Sequence, residues 1–482
     1  MVGANKVYKF QELEDKIDYT YLPEPLKHTS VSLKEIFANK LRFEANSFNL
    51  ESKLAKEKIL SNKYGVVHLW SDKGLVKDAY HRPRFKRIYV ERKEIAFYQP
   101  SSIKDTYPKP AKYISVKTNT DLNSLKVKKG MLLMTISGTI GKVAIAGKTI
   151  DNQIYSHDLL RLIGRGNYDT GYIYAYFLTN EGQSILQSNN YGAVIKHIEP
   201  EHLENVIIPN APEKLKREIH NLVIKSYDLR DQSNDLIDEA ESILYKELNL
   251  RPIEELKTKY FDSSNKIRNY TTKLSDLHFR LDGSFHVPLT KTIIKSISKS
   301  AKEVLKIGSP IISKEIILPG RFKRIYVGKE NGVPFFGGKQ LLELNPSNIK
   351  YLSLEKHGSR INSQLFLKEN MIAVTCSGTI GKVNIIPKHW EDWTLNQHVL
   401  RIVPANKEIA GYIYCWLNTE LGRELITRHI YGSVVDEIHD HHMAEVEIPI
   451  LKDEKQQKKI NDLVLKANEL RYKAHQKEQE AI

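Results

Sequence analysis

The chain has little cysteine and no long apolar run. Only two cysteines, Cys376 and Cys415, occur in 482 residues, and they lie far apart without a CxxC pairing. This usage excludes a disulfide scaffold and predicts a reducing, cytoplasmic compartment in which both thiols fill the core. No apolar stretch approaches the ~20 residues that span a bilayer. The first residues, MVGANKVYKFQELEDKIDY, also lack the apolar segment of a secretory signal.

Acidic residues are outnumbered by basic ones. The chain has 73 Lys and Arg against 58 Asp and Glu, a net charge of +15. Such a charge attracts polyanions, of which nucleic acid is the commonest partner. On charge alone, a basic protein with a merely solvated surface remains an alternative. Because a single core stops growing near roughly 250–300 residues, the length predicts two or three domains.

Motifs for catalysis are missing. The GTIGK sequence has two residues between its glycines and a valine after its lysine, so it does not fit a phosphate-binding loop. No Asn-Pro-Pro-aromatic tetrapeptide for base methylation occurs, and residues 335–338 (FFGG) miss the glycine spacing of a methyl-donor loop. No Pro-Asp and acidic-x-Lys nuclease arrangement is convincing. We therefore predict no catalytic residue, with an enzyme of unrecognised site as the alternative.

One histidine-rich run raises the question of a metal site. It contains His439, His441 and His442, whereas the equivalent residues 199–202 (EPEH) retain one histidine. Metal ligands that serve a shared role should occur in both copies. We therefore interpret the run as a surface turn and predict no metal ligand.

The chain contains an internal duplication. The segment GMLLMTISGTIGKVAIA at 130–146 recurs as NMIAVTCSGTIGKVNII at 370–386, a shift of 240 positions. The segment that begins GYIY at Gly171 recurs at Gly411 with the same shift, and RFKRIYV occurs at 84–90 and 321–327. A shift that changes by so few residues indicates one repeated unit with small loop insertions.

Each unit ends in an amphipathic helix. HNLVIKSYDLR at 220–230 matches NDLVLKANELR at 461–471. Apolar residues are spaced seven apart in the first helix, at Leu215, Leu222, Leu229, Leu236 and Ile243, and the second repeats the pattern through Ile460, Leu463, Ala467, Leu470 and Ala474. This spacing predicts two helices that pack together, with ordinary core helices as the alternative.

These patterns predict an α+β fold in which two duplicated, strand-rich domains are joined by two long, coiled-coil-like helices. The predicted boundaries are an N-terminal segment at 1–38, domains at 39–211 and 276–451, helices at 212–250 and 452–482, and a linker at 251–275.

Basic and aromatic residues shared by both units are the candidates for DNA contact. The RFKRIYV segment reads as a strand whose cations suit phosphates and guanine edges, although a solvated strand is the alternative. The GTIGK turn is a further candidate for phosphate contact, or a purely structural turn. The candidates, completed by two equivalent tyrosines, are Arg84, Lys86, Arg87, Thr139, Lys142, Tyr191, Arg321, Lys323, Arg324, Thr379, Lys382 and Tyr431.

The order of domain, helix, domain, helix resembles the specificity subunits of Type I restriction-modification systems. The resemblance includes FRLDGSFH at 279–286, fainter in LRFEANSFN at 41–49, and GVPFFGGKQL at 332–341. The counterpart of the latter, EIAFYQPSSI at 94–103, has lost the Gly and Pro. Each motif is weak, but their repeated order is specific.

The resemblance implies a non-catalytic subunit that reads a split DNA sequence through two target recognition domains. The two helices would lie antiparallel between these domains, set the gap and dock two methyltransferase subunits, and a restriction or translocase subunit could join. The docking candidates are Leu222, Leu229, Leu236, Leu463 and Leu470. We expect no cofactor in this chain and S-adenosylmethionine, ATP and Mg on the partner subunits.

Sequence-reading residues are expected in loops that differ between the units, because shared residues hold the fold and the phosphates. These loops are 118–127 and 148–156 in the first unit and 356–367 and 387–396 in the second. Two alternatives remain: a methylation-only defence system and a scaffold that binds nucleic acid without sequence preference.

Overall fold

The chain has an α+β fold in which two strand-rich units flank a pair of long helices. The structure is a computed structural model that describes residues 29–38, 41, 45–91, 93–189, 197–261, 269–432 and 434–482. Within these ranges, no helix combines the length and apolar character that a membrane span requires.

The strands of the first unit form two four-stranded sheets and one pair. They are β1 (Val66–His68), β2 (Val76–Tyr80), β3 (Tyr89–Val90), β4 (Ile95–Tyr98), β5 (Lys112–Ile114), β6 (Leu132–Thr135), β7 (Val143–Ile145), β8 (Ile154–Tyr155), β9 (Leu159–Gly164) and β10 (Ile207–Pro209). The sheet orders are β2-β9-β6-β7 and β3-β5-β4-β8, and β1 pairs with β10.

The second unit repeats this topology strand for strand. Its strands are β11 (Glu303–Lys306), β12 (Ser313–Ile317), β13 (Tyr326–Val327), β14 (Gly332–Phe336), β15 (Lys350–Ser353), β16 (Ile372–Thr375), β17 (Val383–Ile385), β18 (Thr394–Leu395), β19 (Val399–Pro404) and β20 (Glu447–Ile450). They pair as β12-β19-β16-β17, β13-β15-β14-β18 and β11-β20. Even the register shift in β2 recurs in β12, so the duplication seen in the sequence is a duplication of fold.

Helices close each unit and link the two. They are α1 (Leu33–Ala38), α2 (Leu50–Leu60), α3 (Asp169–Leu178), α4 (Asn180–Ser188), α5 (Glu213–Glu247), α6 (Ile253–Phe261), α7 (Pro288–Ser300), α8 (Leu354–Arg360), α9 (Lys407–Asn418), α10 (Glu420–Thr427), α11 (Asp440–Ala444) and α12 (Glu454–Ala481). Helix α6 lies inside the predicted linker, where its Ile253 is buried. Most of the predicted N-terminal segment, residues 1–28, lies outside the described residues.

The long helices α5 and α12 pack antiparallel through small and polar side chains. Ser226 Oγ donates to the carbonyl of Ala474 at 2.8 Å, and nearer the other end Lys459 Nζ lies 2.9 Å from Glu239 Oε1. One turn beyond Ala474, the buried Glu478 pairs with the buried Arg230. Small side chains let the two backbones approach, and the ion pair fixes their register.

The leucines that form the predicted heptad spacing pack against several different surfaces. Leu222 packs against the core of the first unit, and Leu236 and Leu463 pack against that of the second. The core of the second unit includes buried residues of both long helices, such as Ala240 and Ala467. Leu229 and Leu470 share a smaller cluster between the helices. The helices must cover both units as well as each other, so these leucines contribute to packing inside the chain. Because Leu222, Leu236, Leu463 and Leu470 are only partly buried, their role in docking partner subunits stays a prediction.

Each long helix is held against its own unit by a short, almost fully buried helix. Helix α3 crosses α5 and α9 crosses α12, with a glycine at each crossing. The amide of Gly171 donates to His220 Nδ1 at 3.2 Å, and that of Gly411 donates to Asn461 Oδ1 at 2.8 Å. The recurrence of GYIY in the sequence therefore has a packing cause, because a side chain at the glycine would collide with the long helix.

Candidate nucleic-acid interface

The lysine of the first GTIGK turn joins the two units. Lys142 Nζ lies 2.6 Å from Oε1 of Glu343, whose side chain is only 1% exposed. The other oxygen of Glu343 accepts 2.8 Å hydrogen bonds from the amide and hydroxyl of Ser347. This ion pair contradicts the predicted phosphate contact of Lys142, because a paired and mostly buried ammonium is not available to DNA.

The second GTIGK lysine faces the equivalent acidic residue. Burial raises the pKa of Asp105 to about 7, and the nearby Lys382 acts in the opposite direction. Asp105 and Glu343 themselves form an antiparallel bridge. The two lysines therefore mark a joint between the units, and Lys382 is also a poor candidate for phosphate contact.

The tips of the two GTIGK turns remain exposed. Gly138 and Gly141 have φ angles of +71° and +81°, which only glycine adopts readily, and the second turn repeats them. Thr135 Oγ1 donates to the carbonyl of Thr139 at 2.6 Å and thus fixes the turn. Thr139 and Thr379 lie at the exposed tips, where contact with a phosphate stays a prediction.

The RFKRIYV segments are extended, but only their last residues are in strands, in β3 and β13. Exposure alternates identically in the two copies. Exposed and partly buried positions thus keep the same roles in both units. The cations that point to solvent are Arg84, Lys86, Arg321 and Lys323. Arg321 also pairs with Glu437 at 3.0 Å while its side chain stays 76% exposed.

The second arginine of each segment turns inward and stacks on an aromatic ring. Arg87 lies over Phe97 with 5.3 Å to the ring centroid, and Arg324 lies over Phe335 at 5.7 Å. Such stacking orients the guanidinium group and holds it close to the surface. Arg87 and Arg324 are therefore positioned to orient other polar groups.

In the first unit, Arg87 orients the residues that precede β9. Its Nη2 donates to Ser156 Oγ at 3.1 Å and to His157 Nδ1 at 3.0 Å. The other ring nitrogen, Nε2 of His157, lies 3.2 Å from Asp158 Oδ1. The Asp158 side chain is 45% exposed, against 11% for His157. The series Arg87, His157, Asp158 therefore ends in a carboxylate at the surface.

The second unit has the same series with different chemistry. Arg324 Nη2 donates to Gln397 Oε1 at 2.9 Å, and Gln397 Nε2 lies 3.1 Å from His398 Nε2. Burial lowers the pKa of His398, and Arg324 and Arg321 lower it further. These residues escaped the sequence prediction because the predicted loops stopped just short of them, at 156 and 396. The signal was the difference between SHD and NQH within otherwise similar surroundings.

Of the candidate tyrosines, the structure describes one. Tyr431 bridges to Glu437 across a loop whose Val434 is 94% exposed. Tyr191 lies outside the described residues. The link between Glu437 and Arg321 places the Tyr431 loop beside the RFKR segment of its unit.

The four predicted reading loops lie in two different environments. Loop 118–127 lies close to the RFKR segment of its unit. It is held there by Arg82, whose Nε donates to the carbonyl of Ser124 at 2.9 Å. Loop 356–367 contacts the second RFKR segment, because its Arg360 lies over Phe322 with 5.0 Å to the ring centroid. These two loops therefore remain candidates for reading bases.

The other two loops face the long helices. The amides of Lys148 and Thr149 donate to Asp231 of α5 at 2.7 and 3.0 Å. His389 stacks on His475 of α12, with 4.0 Å between ring centroids. This contradicts the prediction that the starts of loops 148–156 and 387–396 read bases, because those residues bind the helices.

The histidine run lies at the start of α11. Ligand atoms of His439, Asp440 and His441 come within 4.8 Å of one another. Burial, together with His441, Arg280 and His439, lowers the pKa of His442 to about 4. The absence of a metal ligand stays a prediction. Burial also raises the pKa of Cys376 to about 12, so this buried thiol is suited to core packing.

Comparison with known proteins gives a family for the second unit. Residues 279–467 match the family model of the Type I restriction modification DNA specificity domain. No curated protein matches the chain.

Two solved structures are similar over most of the chain at low sequence identity. The S subunit of a Type I restriction-modification system from M. genitalium is 14% identical, with a TM-score of 0.31, over 88% of this chain and 93% of that chain. The HsdS subunit from Thermoanaerobacter tengcongensis is 12% identical, with a TM-score of 0.27, over 88% and 96%. The assignment depends on the family model. Residues 279–467 are therefore similar to the Type I restriction modification DNA specificity domain, and this match covers less than half of the chain.

Proposed function

We propose that this chain is the sequence-reading subunit of a Type I restriction-modification complex and that its two units read the two parts of a split DNA target. The observation that carries the proposal is the repetition of one cationic surface. Each unit exposes the first arginine and the lysine of RFKR. Exposed, closely spaced cations of this kind bind the phosphate backbone.

The helix pair supports a target in two parts. With 35 residues, α5 spans about 52 Å at 1.5 Å per residue. This length exceeds the ~34 Å turn of DNA that separates two contacts in successive major grooves. Antiparallel helices also relate the units by an approximate two-fold axis, which matches the symmetry of a duplex backbone.

The proposed division of labour follows from what each group can do. Shared, exposed cations hold phosphates in both units, and residues that differ between the units read base edges. Methylation and cleavage belong to methyltransferase and restriction subunits, which would carry S-adenosylmethionine, ATP and Mg. Those subunits would dock on the outer faces of the helices, where α12 exposes Lys455, Lys458 and Lys466 beside the partly exposed Leu463.

The test is selection of binding sites by the chain co-purified with its methyltransferase subunit. Duplexes with a long randomised region would be selected at physiological salt and sequenced, and methylated positions in host DNA would be mapped in parallel. We expect two short fixed motifs separated by an unspecified gap of constant length.

Two other results would contradict this function. Binding without any enriched sequence, together with a steep dependence on salt, would indicate a non-specific scaffold. Methylation or cleavage by the purified chain alone would indicate an enzyme with an unrecognised site.

A further inference from the structure

The two units orient opposite hydrogen-bonding groups with the same arginine. In the first unit, Arg87 donates to His157 Nδ1 and the imidazole faces the carboxylate of Asp158 through Nε2. Nδ1 must accept the arginine N–H, so the ring proton of the neutral imidazole lies on Nε2, which is 3.2 Å from Asp158 Oδ1. The half-exposed carboxylate of Asp158 has lone pairs that can accept a hydrogen bond from a ligand.

The neighbouring charges support this protonation. Burial lowers the pKa of His157, Arg87 and Arg84 lower it further, and Asp158 acts against them. A neutral His157 orients the carboxylate without neutralising it. The first unit therefore presents a hydrogen-bond acceptor beside its exposed arginine.

In the second unit the same sequence of hydrogen bonds leaves His398 with an N–H group as a donor. Arg324 donates to the oxygen of the Gln397 amide, so the amide nitrogen donates to His398 Nε2. An imidazole that accepts at Nε2 and is neutral carries its proton at Nδ1. The second unit therefore has an N–H donor to present where the first unit presents a carboxylate.

We propose that Asp158 and His398 are specificity-determining residues that make the two halves of the target different. This inference rests on the proposed function. In the major groove a carboxylate accepts from the amino group of cytosine or adenine, whereas an N–H donor requires the O6 or N7 of guanine, the N7 of adenine or the O4 of thymine. The shared arginines hold the two groups in the same place, so the half-sites differ by chemistry at equivalent positions.

The test replaces His157 and Asp158 of the first unit by the residues at the equivalent positions of the second unit. In the chain co-purified with its methyltransferase subunit, His157→Gln with Asp158→His gives the first unit the residues of the second. Selection from the randomised duplexes should then change one position of the first motif from an amino-bearing base to an acceptor base. The enrichment of the original base should fall about tenfold, the order expected for one base contact. The second motif should not change, and it reports that the protein still folds and binds.

A second variant and a matched control remove the remaining ambiguities. Asp158→Asn keeps the shape of the side chain but adds an N–H donor, so it should weaken the preference at the same position even if the double exchange fails to fold. Lys129→Glu with Glu369→Lys exchanges another exposed pair at equivalent positions outside the predicted reading loops and should leave both motifs unchanged.

The outcomes separate this inference from the proposed function. A split target that persists unaltered in both Asp158 variants would overturn the inference and leave the proposed function intact. If the wild-type complex selects no split target, the proposed function fails first.

Discussion

Asp105 and Glu343 occupy equivalent positions in the two units and form an antiparallel bridge with each other. The amide of Thr106 extends this contact by donating to the carbonyl of Leu342 at 2.8 Å. Equivalent segments that meet antiparallel lie on an approximate two-fold axis. The Lys142 pair with Glu343 crosses this axis, so the units are tied together at the centre as well as through the helices.

Removal of the lysine from this joint should destabilise the chain. Lys142→Met leaves the buried carboxylate of Glu343 with Ser347 and a more distant Lys104, 3.8 Å away. Breaking one side of a buried ion pair costs about 3 kcal/mol of unfolding free energy. Urea unfolding at neutral pH measures this loss. If Lys142 contacted DNA instead, the variant would keep its stability and lose affinity.

A matched control for this variant is Lys459→Met. Its ion pair with Glu239 also joins two elements, but both side chains are about half exposed. Exposed pairs contribute within about 1 kcal/mol. An equal loss of stability in both variants would show that the joint has no special role.

The joint should also make stability depend on pH. Burial, with a smaller effect of Glu343, raises the pKa of Asp105 to about 7, against about 3.9 in an unfolded chain. Between these values the folded state binds a proton that the unfolded state has lost, so stability falls as pH rises. Relative to Asp105→Asn, wild type should lose on the order of 3–4 kcal/mol between pH 4 and pH 8.

Urea unfolding of both proteins across this range isolates the contribution of Asp105, because other titrating groups are common to the two. A constant difference between wild type and Asp105→Asn would mean that the carboxyl titrates normally. If wild type instead became more stable relative to Asp105→Asn as pH rises, the attraction of Lys382 would outweigh the effect of burial on the pKa of Asp105.

The glycine at the crossing of α9 and α12 should not tolerate a methyl group. A Cβ at Gly411 would lie 2.4 Å from the carbonyl oxygen of Asn461, so Gly411→Ala should cost about 1–3 kcal/mol through overpacking. Gly358, in the middle of α8, has open space around it. Gly358→Ala should therefore stabilise by about 0.5–1 kcal/mol, since alanine loses less backbone entropy on folding. Thermal unfolding of both variants tests the pair, and equal effects of the same sign would contradict it.

The exposed cations of RFKR should govern the salt dependence of DNA binding. Arg84→Ala with Lys86→Ala removes two exposed positive charges from the first unit. Each lost phosphate contact should reduce the slope of log affinity against log salt by about one. Binding titrations at several salt concentrations measure the slope. A slope unchanged from wild type, with Lys459→Met as the reference, would mean that these cations do not meet phosphates.

The sequence was sufficient for the fold because the repeat was strong. The GTIGK and GYIY segments located equivalent hairpins and helices in both units, as at β6 and β16. Their glycines had identifiable causes in turn geometry and helix crossing. A pattern with a local physical cause can be interpreted without the partner that it packs against.

The candidate site was less predictable because its contacts are made between distant segments. Lys142 looked like a phosphate ligand until its partner was known to be Glu343, 201 residues away. The heptad spacing did not indicate whether each leucine would pack against the first unit, the second unit or the other long helix. Conversely, His157 and Gln397 became notable only when the structure placed an arginine beside each.

The two units are related by an approximate two-fold axis, but they differ at one pair of equivalent positions. This approximate two-fold frame has the carboxylate of Asp158 at one end and the imidazole of His398 at the other. A ligand that contacts both ends cannot be turned around without exchanging those contacts for mismatched ones. The frame therefore has a polarity, even though its backbone is nearly symmetric. A double helix held across it would be bound in one orientation, with a defined left and right for any subunit that follows.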